Sequence, residues 1–313
     1  MAANKQLWTK DFAANLYDEK AWYTVGKNFD QYVSAGICHI PQATAGIVPI
    51  EITSATALPL SVTERTYDDL TYTMKMIAAS PRYVRDINAV EASFDTRSAE
   101  MKEMLGSVRQ AMQIEIADKW CTTETGSVIR TSGTSTRTNL YGLASVKRLT
   151  FNDILTARAM LIKSTKNVDL NNLYLVVDPI LYNDLIAIGN EFVPANQIST
   201  DIFINGFVGT IGGFKVIQRG VGIPYTNATT KAAINYGDAH SNTTLSSALA
   251  LAGDFVAYSK GTEGNGEIRM GIDQYATGYY GDILQGHTRV GASPMYAASS
   301  NIVKGVVSII EEV

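Results

Sequence analysis

Residues 93–120, SFDTRSAEMKEMLGSVRQAMQIEIADKW, carry the longest continuous amphipathic pattern in the chain. Phe94, Met101, Leu105, Val108, Met112, Ile116 and Trp120 recur at steps of three, four and seven, the spacing of one apolar helical face. Asp95, Arg97, Glu100, Lys102, Glu103, Arg109, Gln113, Glu115 and Lys119 fall between them as a solvated or interfacial face. At about 1.5 Å per residue this helix runs roughly 42 Å, enough to cross a small domain. Gly106 is its weak interior position, costing about 1 kcal/mol relative to alanine. A rod of this length needs a broad surface to lie on, and nothing in it suggests catalysis.

Composition narrows the classes further. The chain has 313 residues, 46% of them hydrophobic, which is ample for a sizeable core in one large domain or two to three smaller ones. Its net charge of −4 comes from residues 151–313, residues 1–150 being balanced. Neither half is basic enough for dedicated nucleic-acid binding. Cys38 and Cys121, far apart in sequence, read as reduced thiols of a cytosolic protein. The start, MAANKQLWTKDF, lacks a signal-type apolar core, and the run Ile302 to Ile310 is broken by Lys304, Gly305 and Ser308. The expectation is a soluble protein with no membrane partner.

Upstream of the long helix, residues 1–35 mix Trp8, Phe12, Tyr17, Trp22, Tyr23, Phe29 and Tyr32 with charges. Two readings stay open there: a first helix packed on its own domain, or an arm lying across a neighbouring subunit. From Ile37 to Tyr72 the pattern alternates. Ile47 to Thr53 and Leu58 to Glu64 flank a short polar link, and Pro49 and Pro59 push these strands to an edge or a protruding hairpin. An isolated hairpin is marginal in water, so this one is expected to find a partner surface. Ser80-Pro81 reads as a helix start.

Downstream, Thr122 to Asn139 reads as a polar surface loop. Thr150 and Asp153 suggest a capping box for a helix whose face holds Phe151, Ile154, Leu155, Leu161 and Ile162. Leu173 to Val177 is a buried strand, and Asp178-Pro179 caps a helix from Ile180 to Ile188, giving an α/β layer. Gly206, Gly209, Gly212 and Gly213 do not match a phosphate fingerprint and read as turn glycines among short strands. Leu249 to Tyr258, Ile268 to Tyr275, Tyr279 to Val290 and Ile302 to Ile310 complete the strand patterns.

The search for chemistry finds no active-site signature. His39, His240 and His287 have no carboxylate or cysteine at ligand spacing, and no G-x-S-x-G, Walker loop or H-E-x-x-H occurs. Asp68-Asp69 and Glu311-Glu312 read as solvated charges. Neither a metal nor another cofactor is expected.

The order of these elements carries a resemblance. The aromatic arm, the proline-bearing hairpin, the long helix with SFDTRSAEM, the tract RTSG at 130–133, then LTFNDILTARAML, NLYLVVDPILYNDLI and GTIGGFKVIQR resemble the major capsid proteins of tailed bacteriophages. The resemblance implies an α+β chain of the Hong Kong 97-type capsid fold. It assigns residues 1–36 to an N-terminal arm, 37–78 to an extended hairpin loop and 79–149 to a peripheral domain with the spine helix. Residues 150–275 become an α/β axial domain, and 276–313 return to complete the peripheral sheet.

The implied function is self-assembly as hexamers and pentamers into an icosahedral virion shell around double-stranded DNA, formed in the bacterial host cytoplasm. Other copies of the chain are the main partners, with portal, scaffolding and decoration proteins beside them. Edge strands and aromatic anchors suit a shell tile, and a near-neutral chain avoids trapping the genome. Expected subunit-interface residues are Trp8 and Trp22 of the arm, Ile47, Val48, Ile50 and Ile52 of the hairpin, and Arg97, Glu100 and Glu103 of the helix.

In some relatives a loop lysine is joined covalently to a neighbour's asparagine. Residues 39–74 contain no lysine, so no such crosslink is expected from this loop. With about 35 residues before the hairpin, no fused N-terminal scaffold is expected in this chain. The competing readings are an encapsulin-like nanocompartment shell, or a cytosolic α/β enzyme using Asp178, His240 and His287. On the helix, Leu105→Asp is expected to prevent folding and Glu103→Lys to leave the monomer folded.

Overall fold

The structure is a computed structural model. It describes residues 21–43, 52, 64, 67–85, 96–122, 125–165, 168–188, 192–194, 207–220, 222–227, 240–241, 243–260, 268–273, 280–295 and 303–313. The strands begin with β1 (Lys27–Asn28), β2 (Val33–Ser34), β3 (Ile37–Ala43), β4 (Tyr67–Thr73), β5 (Lys75–Ala78) and β6 (Arg82–Arg85). The long helix α1 (Thr96–Trp120) follows, then β7 (Val128–Arg130), β8 (Thr136–Arg137) and β9 (Val146–Lys147). Helix α2 (Phe151–Thr165), β10 (Leu173–Val177), helix α3 (Pro179–Ile188), β11 (Phe192–Pro194), β12 (Phe207–Ile211) and β13 (Phe214–Gln218) build the middle. The chain closes with β14 (Ser247–Ala252), β15 (Val256–Ser259), β16 (Arg269–Asp273), β17 (Gly281–Pro294) and β18 (Val306–Ile310).

Two sheets and α1 organise the molecule. The larger sheet runs β11-β12-β13-β10-β14-β18-β7. Its strand period of two sorts the side chains cleanly. Leu173, Leu175 and Val177, with Ala248, Ala250, Val307 and Ile309, face a core shared with Ile154 and Leu161 of α2 and Leu181 and Leu185 of α3. The opposite face presents Val176, Leu249, Leu251, Val306 and Ile310 to Met112, Ile116 and Trp120 of α1. The sequence expectations for α2, β10 and α3 hold, and the α2 cap is reciprocal. The Thr150 N–H donates to the Asp153 carboxylate at 3.0 Å, and the Asp153 N–H donates to the Thr150 hydroxyl at 3.3 Å. Gly212 and Gly213 make the β12–β13 turn at φ of 55° and 86°, as expected of turn glycines.

The second sheet is built on β17, which spans 14 residues and pairs antiparallel with β15, β16, β5 and β6 along its length. Helix α1 lies across it. Met104 of α1 packs with Val84 of β6 and Leu284 of β17, so the N-terminal half of the helix holds this sheet. Its C-terminal half reaches the larger sheet, and α1 thereby ties the two together.

Four sequence expectations need correction. Ser80-Pro81 does not start a helix over the residues that follow it. β5 and β6 run along one edge of β17, and the Ser-Pro pair occupies the break between them, where no ladder donor is required of the proline. Val84 points inward at 6% exposure and its neighbours outward, the alternation of a strand. The tract Thr122 to Asn139 is not only a surface loop: β7 pairs parallel with β18 at the edge of the larger sheet, and β8 pairs with β9. Leu105 is only half-buried, because the helix turns Met104, Val108, Ala111 and Met112 into the core. Finally, the strands after residue 276 divide between the sheets: β17 lies under α1, whereas β18 inserts between β14 and β7.

Candidate functional site

The surfaces singled out from sequence fare unequally. Trp8, Ile47, Val48 and Ile50 lie outside the described residues. Ile52 is described and is 63% exposed. The hairpin root formed by β3 and β4 is fixed by seven paired residues, from Ile37 opposite Thr73 to Ala43 opposite Tyr67. Tyr67 is 71% exposed there. His39 Nδ1 lies 2.6 Å from Asp69 Oδ2, a cross-strand pair invisible to a search by sequence spacing.

The inner side of this root is anchored. Cys38 and Ile40 are buried against Ala257 of β15. The Tyr72 hydroxyl lies 2.7 Å from the Ser259 hydroxyl. Burial, reinforced by Cys38, pushes the Tyr72 phenol far above its ordinary range, so it serves as a neutral hydrogen-bonding group. The hairpin therefore leaves the body from a fixed base.

Trp22 must be withdrawn from the interface set. It is 1% exposed, stands edge-on to Trp120 with ring centroids 5.5 Å apart, and carries the Arg219 guanidinium 4.8 Å from its ring centroid. Of the two readings left open for the first residues, Trp22 and Tyr23 follow the one that packs on the chain's own core.

The three helix charges are partly engaged inside the chain. Arg97 Nε lies 2.7 Å from Asp282 Oδ2 of β17, and the Asp282 side chain is 1% exposed. Glu100 is 3.9 Å from Arg82 Nε of β6. Glu103 joins Glu100, Arg82, Ser80 and Met104 around a recess of about 130 Å³. Arg97 and Glu100 thus fasten α1 to its sheet and remain about 40% exposed, at 40% and 39%.

Sequence reasoning missed the most heavily built polar feature. Arg137 of β8 is driven between two buried carboxylates: its Nη2 is 2.8 Å from Asp184 of α3, and its Nη1 is 2.7 Å from Glu311. Glu311 also accepts from Asn139 Nδ2 at 2.9 Å and from the Ser246 N–H at 2.8 Å. Burial works against the Arg137 charge, but Asp184 and Glu311 outweigh it and hold the guanidinium protonated more firmly than usual. Burial pushes the Glu311 carboxyl up, while Arg137, Ser246 and Asn139 draw it back down in part.

Glu311-Glu312 is therefore no solvated pair. Glu311 is 0% exposed, and Glu312 reaches the other way to Arg130 at 2.7 Å. The two carboxylates follow the end of β18 and turn to opposite partners.

The histidines do not gather. His39 pairs with Asp69, the His240 ring lies 5.1 Å from that of Tyr141, and His287 sits on β17 opposite Arg269. Asp178, offered with His240 and His287 for an enzyme, is taken up by the Leu181 N–H and the Ser246 hydroxyl. Among the described residues no three His, Cys, Asp or Glu side chains group as metal ligands, and no helix is long and apolar enough to cross a membrane.

Comparison with known proteins bears on the whole chain. No protein-family model matches it, and no curated protein matches it. Solved structures do. The capsid of Ralstonia phage GP4 aligns with a TM-score of 0.70 at 9% identity, covering 98% of this chain and 95% of that one. The capsid asymmetric unit of cyanophage Pam1 aligns at 0.61 with 12% identity, covering 99% and 97%. The capsid structure of cyanophage P-SCSP1u aligns at 0.60 with 15% identity, covering 97% and 93%. The chain has the α+β fold of tailed-phage capsid proteins, the Hong Kong 97 type expected from the element order.

Proposed function

We propose that this chain is the major capsid protein of a tailed bacteriophage. It assembles as hexamers and pentamers into an icosahedral shell that encloses double-stranded DNA. The observation that carries this reading is the near end-to-end match to phage capsid structures, 98% of this chain with 95% of the Ralstonia phage capsid chain. A match covering both chains almost entirely favours the same use of the whole tile over a shared subdomain, although fold alone does not fix function.

Physical features support the reading. A hairpin on a fixed base offers paired strands and exposed side chains such as Tyr67 to another copy. The outward face of the second sheet carries Met76, Tyr83, Arg85 and Arg269, residue types enriched where proteins meet. The hairpin residues Ile47, Val48, Ile50 and Ile52, with Trp8, Arg97, Glu100 and Glu103, are the proposed contacts between copies. Portal, scaffolding and decoration proteins are further proposed partners, and the shell forms in the host cytoplasm and ends in the virion. The role is structural and non-enzymatic.

Electron microscopy of the expressed protein tests this. Capsomers or closed shells support it, and monomers under every assembly condition sink it. Shells that are filled with a second enzyme, with neither DNA nor a portal, would replace it with the nanocompartment reading.

A further inference from the structure

Three carboxylates are buried where α3, β14, β18 and the β8–β9 segment meet: Asp178 and Glu311, at 1% and 0% exposure, and Asp184 at 2%. Their partners differ. Asp184 receives Arg137, the Leu149 N–H at 3.2 Å and, at 3.9 Å, Arg148. Glu311 receives Arg137, Asn139 and the Ser246 N–H. Asp178 receives the Leu181 N–H at 2.6 Å, the Ile180 N–H and the Ser246 hydroxyl, and no cation among the described residues lies within ion-pair distance of it.

Ser246 links Asp178 to Glu311, its hydroxyl bonding the first carboxylate and its backbone N–H the second. The joint is closed on the Gly222 side. A methyl group there would stand 2.6 Å from Ser246 Oγ, 3.2 Å from Asp178 Oδ2 and 3.2 Å from Leu140.

We propose that Asp178 carries a proton in the folded chain and acts as an acid-tightened fastener of this joint. A buried carboxyl without a counter-ion lowers its energy by staying neutral, and a neutral carboxyl can donate to the Ser246 hydroxyl oxygen as well as accept from Leu181. Arg137 of β8 is the charged group that acts on Asp178 directly, Glu311 after β18 is joined to it through Ser246, and Asp184 of α3 shares Arg137. Asp178 also acts on Tyr141 after β8, which in turn feels Arg219 after β13, Glu311 and Asp118 of α1. Arg137 is committed to the other two acids. Burial pushes the Asp178 carboxyl above the ordinary aspartate range, and the Ser246, Leu181 and Ile180 hydrogen bonds and the Arg137 charge only partly oppose this.

The sign of the linkage follows. With a folded-state pKa above the unfolded value, folding retains a proton that the unfolded chain releases, so stability falls as pH rises between the two pKa values and then levels off. This is a property of the single chain and goes beyond the shell reading: it stands or falls whether or not copies assemble.

The test is urea unfolding of the wild-type chain and Asp178→Asn from pH 4.5 to 8. Asparagine keeps the acceptor for Leu181 and supplies a neutral donor toward Ser246. The ratio of folding constants, variant over wild type, should climb by up to about tenfold per pH unit above about pH 4 and then reach a plateau. A ratio independent of pH overturns the proposal. Should the variant fail to fold, infrared spectra in heavy water from about pH 5 upward, taken on wild-type chain whose aspartates carry carbon-13 carboxyls so that their bands stand apart from that of Glu311, decide the matter. A protonated-carboxyl band there that disappears on further alkaline titration supports the fastener, and its absence from the folded protein overturns it.

Discussion

Trp22 stands edge-on to Trp120, with ring centroids 5.5 Å apart and planes at 86°, and both are buried to 1% exposure or less. The Trp120 indole N–H donates to the Ala257 carbonyl at 2.9 Å, so the end of α1 is pinned to β15 while Trp22 covers it. Trp22→Ala should therefore cost about 3–5 kcal/mol of monomer stability. Chemical denaturation of the unassembled chain measures this. A monomer of unchanged stability that only fails to assemble would return Trp22 to the interface.

Helix α1 makes a graded prediction. Val108, 1% exposed, faces the core, and Leu105 is half-buried at its margin. Val108→Asp should abolish folding by burying an unpaired carboxylate, whereas Leu105→Asp should cost only about 1–2 kcal/mol. Glu103→Lys should change monomer stability by about 0.5 kcal/mol or less. Circular-dichroism melts of the three variants rank them, and equal damage from all three would mean the helix is oriented otherwise.

Among the described residues, Arg137 is the one guanidinium bonded to both Asp184 and Glu311. Arg137→Met should destabilise the chain by about 3–5 kcal/mol, because it takes the bonded guanidinium from two buried carboxylates and leaves Asp184 only Arg148 at 3.9 Å. Replacing all three by apolar residues of similar size should recover much of that loss. Denaturant midpoints of the single and triple variants check the pair of outcomes, and a harmless single replacement would contradict the buried network.

Both cysteines are free thiols. Cys38 is fully buried, whereas Cys121 is partly exposed, with burial of its surroundings pushing its thiol far above the ordinary range. The thiolate is the reactive form, so in the native protein at neutral pH Cys38 should not react with a thiol-specific dye and Cys121 should react much more slowly than a free thiol, and both should react at once in denaturant. Rapid labelling of one thiol under native conditions would show that its segment opens.

The helix, the α/β layer and the order of elements were legible because each rests on local signals: a 3.6-residue period, a capping box at Thr150 and Asp153, and an apolar run at Leu173 to Val177. What escaped depends on partners far away in the chain. Ser80-Pro81 looks like a cap until β17 claims the residues on both sides of it. Arg137, Asp184 and Glu311 look like ordinary surface charges until the fold brings β8, α3 and the residue after β18 together. Trp22 looks like an anchor for any apolar surface, and only tertiary packing assigns it to Trp120.

The placement of β18 has a consequence for how the tile is completed. It lies antiparallel to β14 on one side and parallel to β7 on the other, although residues 306–310 come nearly 180 positions after β7. Among the described residues, until those five and the Glu311 that follows them arrive, β14 has no neighbour on that flank, β7 has no paired strand, and Arg137 lacks one of its two acids. A chain interrupted before residue 306 would thus present an unfilled slot inside its largest sheet. Closure of the larger sheet therefore waits on residues that lie far along the chain from the strands they join.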